Sequence, residues 1–191
     1  MASDVGICNS ALAKIGLTDF ITSMTESNKR AIACNQQYAR LRDDLLRGHE
    51  WNFGIKRQKL ARESAVPVSG FDFQYVLPAD WLRTVSVHGN DAGLGAAAYR
   101  IEAGNILTNA TEVWIRYVRQ VTDANLMPPD FREALAYRLA AELAVPIAQS
   151  NTLKQQLAED FKSQLRRAKS SDSIEDFPVS FPEGSWVTER F

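Results

Sequence analysis

The stretch from Phe71 to Val87, FDFQYVLPADWLRTVSV, constrains the fold more than any other part of the chain. Phe71, Phe73, Tyr75 and Leu77 alternate with Asp72, Gln74 and Val76, and this period of two predicts a half-buried strand. Pro78 withdraws an amide donor and stops it. Ala79, Asp80 and Trp81 allow one helical turn, after which Thr84 to Val87 extend again. The stretch holds no nucleophile motif, metal-ligand cluster or phosphate loop, so it reads as structural.

More strand follows, and the β-rich part runs from Phe71 to about Gln120. HGNDAGLGAAA, residues 88–98, is a loop whose glycines lack the spacing of a dinucleotide fingerprint. Tyr99 to Thr108 predicts a hairpin with Gly104-Asn105 at its turn. Glu112 to Arg119 is the clearest strand, with Val113, Ile115 and Tyr117 on one face and Trp114, Arg116 and Val118 on the other. Residues 64–70, SAVPVSG, form the linker before this part.

Helical spacing dominates elsewhere. Residues 3–16 predict a helix capped by Ser3 or Asp4, with Val5, Cys8, Leu12 and Ile15 on one face and Gly16 as its stop. Residues 25–47 predict a second, with Ala31, Cys34, Tyr38, Leu41 and Leu45 stepping by threes and fours. Lys29, Arg30, Arg40, Arg42 and Arg47 lie off that seam and read as a solvated face. A third spans 130–149, with Asp130 and Glu133 as a capping box and Pro146 as a kink or end. Phe131, Leu135, Leu139, Leu143 and Ile147 form one apolar row there, and Ala134, Tyr137, Ala141 and Ala148 a second. Such a helix is central. A fourth, 151–169, carries Leu153, Leu157, Phe161 and Leu165 at steps of four and ends on Arg166, Arg167 and Lys169, where cations suit the helix dipole.

These elements predict a mainly α fold: a four-helix bundle-like core with a small antiparallel β insertion, one domain over 1–170, and an extended C-terminal arm over 171–191. The arm carries Phe177, Phe181, Trp186 and Phe191 among Pro178, Pro182 and Gly184. Disordered tails are poor in such rings. The arm therefore either docks on a partner or folds back on its own domain.

With 22 Lys and Arg against 23 Asp and Glu, the net charge is −1. That weighs against a conventional DNA-binding module and leaves room for a local basic strip. Lys56, Arg57, Lys59 and Arg62 make such a cluster, suited to phosphate contacts, just after Trp51 and Phe53, which anchor the exit from the second helix. The two cysteines, Cys8 and Cys34, lie on apolar helix faces and read as buried thiols, a disulfide depending on geometry. With His49 and His88 the only histidines, the ligand spacing of a zinc site is missing, and no cofactor is expected. The N-terminal residues do not read as a signal peptide, and no run is long enough to span a membrane, so synthesis in a cytoplasm is expected. Neither histidine is flanked by a nucleophile motif. Glu50, Asp72 and Asp80 lie near aromatics, as surface or capping carboxylates often do.

Taken in order, ICNSALAKIG, AIACNQQYARLRDDLL, HEWNFGIKRQKLA and YVLPADWLRTVSV resemble the head-to-tail adaptor, or tail tubular protein A, family of short-tailed bacteriophages. The resemblance spans roughly residues 5–165. It implies a virion structural protein of the head–tail junction, free in solution as a monomer or small oligomer. It implies assembly as a dodecameric ring under the portal protein, closing the DNA-filled head and presenting a platform for the tail nozzle or needle. The arm would then climb onto the portal, and genomic DNA would pass without sequence recognition. Peptidoglycan hydrolysis, described for some members, is the enzymatic alternative, with no residues assigned to it. A third reading takes the basic cluster as a nucleic-acid contact.

Overall fold

The computed structural model describes residues 2–90 and 98–175. It contains four α-helices, α1 (Asp4–Lys14), α2 (Lys29–Arg47), α3 (Pro129–Ala148) and α4 (Asn151–Ile174), and six strands. The strands are β1 (Ile55–Lys59), β2 (Phe73–Val76), β3 (Trp81–Gly89), β4 (Tyr99–Glu102), β5 (Asn105–Thr108) and β6 (Val113–Arg119). They form two antiparallel sheets, β1-β6-β3 and β2-β5-β4. The expectation of a mainly α protein is therefore overturned: the fold is mixed α/β, 48% helix and 20% strand.

The reason lies in β1 and β6. IKRQK carries no apolar alternation, and four of its five residues are exposed. It becomes a strand by pairing with β6 from Ile55↔Val118 to Lys59↔Trp114. β6 is apolar on both faces and so lies between two cores. Val118 joins the helical core, along with the partly buried Ile55, Leu82 and Val85. Val113, Ile115 and Tyr117 join a second core with Leu60, Tyr75, Leu77, Val87 and Ile106. The result is three layers: helices, a central sheet β1-β6-β3, and an outer sheet β2-β5-β4. The β part is thus a structural layer rather than an insertion.

α3 is the central helix, packed against α4, α1 and α2. Ala134, Ala136, Ala140, Ala141 and Ala144 are all buried, and their small side chains let its neighbours approach. Most of both apolar rows packs inside the chain's own core. The asparagine Asn9 ties the α1–α2 loop to the core, donating to the Ile21 carbonyl and accepting from its amide, both at 2.9 Å.

Several boundaries move for local reasons. α2 starts at Lys29 rather than Thr25, because Asn28 accepts from the Ala31 amide at 2.8 Å while Glu26 gathers the amides of Thr22 and Ser23. Arg42, expected in solvent, is buried against Asp43 at 2.8 Å. The Asp130–Glu133 capping box does not form: α3 opens on Pro128 and Pro129 without a side-chain cap, and Glu133 pairs instead with Lys14. Pro146 lies inside α3 and does not end it at once. The helix runs on to Ala148 and stops at Gln149, which is left-handed at φ 54°. Ser150 then caps α4. The hairpin turn is Ala103-Gly104, not Gly104-Asn105, since Glu102 pairs with Asn105 and both loop residues have positive φ, 49° and 81°. Trp81 opens β3 after a tight turn closed by its amide on the Pro78 carbonyl at 3.0 Å. α4 continues to Ile174, so residues 171–174 belong to the helix and not to an arm. Phe177, Phe181, Trp186 and Phe191 lie outside the described residues, as do residues 91–97 of the glycine loop.

Candidate functional site

The basic cluster occupies β1 and the residues just beyond it, and the pleat divides it. Successive strand side chains point to opposite faces. Lys56 lies with Tyr117 on the outer-sheet side. Its ammonium stands 3.2 Å from Asp80, which also accepts the Tyr117 hydroxyl at 2.8 Å. Burial works to raise the Asp80 pKa, and the hydrogen bonds from Tyr117 and Lys56 outweigh it, so the carboxyl sits below its ordinary value. Burial and the Asp80 carboxylate push the Tyr117 hydroxyl up. Arg62 is stacked on the Phe73 ring at 3.7 Å, opposite Tyr75 of the outer sheet. Two of the four cations thus have structural posts.

Arg57 and Lys59 take the other face, with Arg116 and Trp114 as their cross-strand partners. β3 adds Ser86 opposite Arg116 and His88 opposite Trp114. The helices cover this face at its Ile55–Val118 end. Farther along, Arg57, Lys59, His88, Trp114 and Arg116 line an open groove of about 220 Å³. Lys59 pairs with Glu112 at 2.6 Å and lies 5.2 Å from the Trp114 ring centre. Arg116 reaches Glu50 at 2.8 Å, and Arg83 reaches the other oxygen of Glu50 at 3.8 Å. Arg57 has no ion-pair partner among the described residues. Arg116 also borders a second groove of about 380 Å³, lined by His49, Glu50, Arg83 and Asp172. Sequence reasoning found Arg57 and Lys59. It missed Arg83, Arg116, His88 and Trp114, which only the β1-β6-β3 pairing brings beside them.

Asp172 closes the far end of the second groove. Its carboxylate accepts the Asn52 amide at 3.0 Å and lies 3.5 Å from His49 Nε2, while Asn52 Nδ2 donates to its backbone carbonyl at 2.8 Å. Burial and the nearby Lys169 lower the His49 pKa, against the opposing pull of Asp172 and Glu50.

Ser86 Oγ lies 3.1 Å from His88 Nε2, but among the described residues no carboxylate orients the other ring nitrogen, as nucleophilic catalysis of the triad type requires. A general acid of a glycosidase needs a raised pKa. Asp80 is shifted the other way. Among the described residues, no group of three or more His, Cys, Asp or Glu is placed to hold a metal, and no helix is long and apolar enough to cross a membrane. Cys8 and Cys34 are buried free thiols. Their mutual hydrogen bond and burial push the Cys8 thiol up.

No family model matches the chain, and no curated protein matches it in sequence.

Proposed function

We propose that the protein is a head-to-tail adaptor of a short-tailed bacteriophage, assembling as a ring under the portal and carrying the tail nozzle or needle. The observation that carries this reading is where the resembling segments lie. HEWNFGIKRQKLA and YVLPADWLRTVSV build the junction between the helical layer and the central sheet. Trp51 is fully buried there against Phe131, with ring centres 5.1 Å apart, and Lys56, Asp80 and Tyr117 lock β1 to the start of β3. The two other segments form α1 and α2, which pack on α3. The family-like residues are thus one connected frame rather than scattered matches.

The central helix contributes little to a ring seam, because most of its two apolar rows packs within its own chain. Contacts between subunits fall instead to surface residues such as Phe20 and Ile32, which are 52% and 46% exposed. The arm is assigned to portal docking, and DNA passes through the ring without sequence recognition.

The test is light scattering on the protein alone and mixed with the portal ring of the same phage. A monomer or small oligomer that becomes a portal-bound ring is expected. A chain that leaves the portal mass unchanged overturns the reading. To test the arm, the chain is cut after Glu175 rather than after Ser170, so that the Asp172–Asn52 contacts stay intact. Loss of portal binding in that truncation is expected, and retained binding removes the arm from the mechanism.

A further inference from the structure

We propose that the open face of the central sheet, formed by Arg57, Arg83, Arg116 and Trp114, binds single-stranded nucleic acid. Three features of that face meet in one ligand. The first is a charge excess that the protein leaves uncompensated. Arg57 and Arg116 are direct cross-strand partners, and like charges so placed repel. Glu50 is the carboxylate shared by Arg116 and Arg83, and Glu112 is taken by Lys59. Arg57 keeps its charge without a carboxylate among the described residues. An oxyanion set between Arg57 and Arg116 converts that repulsion into two charge-assisted hydrogen-bonding contacts.

The second feature is Trp114. It stands 37% exposed on β6, while Val113 and Ile115 beside it are fully buried. The Lys59 ammonium lies near its ring and is tethered by Glu112, so part of the indole is covered and the rest opens on the groove. An aromatic platform among arginines is the combination that unpaired bases and their phosphates require.

The third feature is continuity. The groove beside Trp114 and the one beside Arg83 are both open and both bordered by Arg116, so they lie next to each other on the sheet. A chain of repeated phosphates fits two adjoining open grooves. A duplex does not make use of Trp114, because its bases are already stacked, and a net charge of −1 provides no broad basic field for it.

The proposal does not depend on portal binding, and the two are measured separately. The probe is a labelled oligothymidylate of about twelve nucleotides, read by fluorescence anisotropy across a salt series. Binding by the wild type that weakens with salt is expected. Arg57→Gln should lower the salt slope by roughly 0.7, the share of one phosphate contact on a single strand. Trp114→Ala should weaken binding about tenfold or more, with Trp114→Phe restoring most of it. Arg62→Gln, stacked on Phe73 away from both grooves, should change neither quantity. Absence of salt-dependent binding overturns the proposal. So does an Arg62→Gln loss equal to that of Arg57→Gln, or a duplex bound more tightly than the single strand with Trp114→Ala indifferent.

Discussion

Trp51→Phe is the sharpest test of how the layers are joined. Trp51 is 1% exposed and packs edge-on against Phe131 at 5.1 Å and His49 at 4.8 Å. Its indole N–H also donates to the Leu45 carbonyl at 3.0 Å. That carbonyl lies in the last turn of α2, where helix carbonyls lack intrahelical donors. The chain has already turned away: the Gly48 amide bonds Asp44, and the His49 amide reaches Leu46. The indole therefore caps the buried Leu45 carbonyl. Phenylalanine retains an aromatic ring but no donor. Leaving the carbonyl unsatisfied costs about 1–3 kcal/mol. The lost ring atoms and the small cavity add roughly 1 kcal/mol. The total is about 2–4 kcal/mol. Urea unfolding followed by far-UV circular dichroism should show the midpoint falling by about 1–2 M with the slope unchanged. Trp114→Phe, on the open face, is the control and should cost under about 1 kcal/mol. A Trp51→Phe loss below about 1 kcal/mol, or one no larger than the control, would refute the capping argument.

Two further outcomes follow from the same geometry. The pKa of His49 is lowered in the fold, so the unfolded chain takes up the proton first as pH falls; the stability tied to neutral His49 is complete above its ordinary value of 6.5 and is lost as pH drops through the lower folded value. Urea midpoints at about pH 7.5 and about pH 5.5 should therefore fall less in His49→Gln than in wild type, and a wild type stabilised by the acid relative to that variant would mean that Asp172 outweighs burial and Lys169. Ala103 sits at φ 49° before Gly104 in a two-residue hairpin turn that favours Asn-Gly, so Ala103→Asn should gain about 0.5–1 kcal/mol by thermal unfolding, and a loss would show that the turn conformation is misassigned.

The helices were legible because their apolar positions recur with the helical period, and their packing keeps that period. α3 shows this most plainly: two apolar rows predicted a helix touched on both sides, and α1, α2 and α4 supply the contacts. Boundaries were less legible where two local signals compete. Thr25 and Asn28 are both capping residues, and Glu26 decides between them by tying Thr22 and Ser23 into a separate loop. Asp130 and Glu133 have the spacing of a capping box, but two prolines place the N-cap at Pro128, ahead of Asp130, and Lys14 of α1 takes the glutamate. The mainly α reading failed at β1. Ile55–Lys59 has no periodic apolar signal, because its strand character comes from the backbone of β6 and not from burial.

That same strand explains why the basic cluster was visible as composition but not as a site. Once Ile55–Lys59 is extended, the period of two separates Lys56 from Arg57 and Lys59, and each side then inherits the chemistry of β6. On one side β6 offers Tyr117, which with Asp80 turns Lys56 into a structural lock. On the other it offers Arg116 and Trp114, which leave Arg57 facing a like charge beside an exposed ring. A single register therefore distributes stability to one face and unspent binding capacity to the other. Shifting β1 by one residue would exchange these roles, placing Arg57 against the apolar second core and Lys56 in the open groove. The partition is enforced by the first pair of the ladder. Ile55 and Val118 must both reach the helical core, and this requirement, rather than any preference of the cations themselves, leaves Arg57 and Arg116 together on the open face.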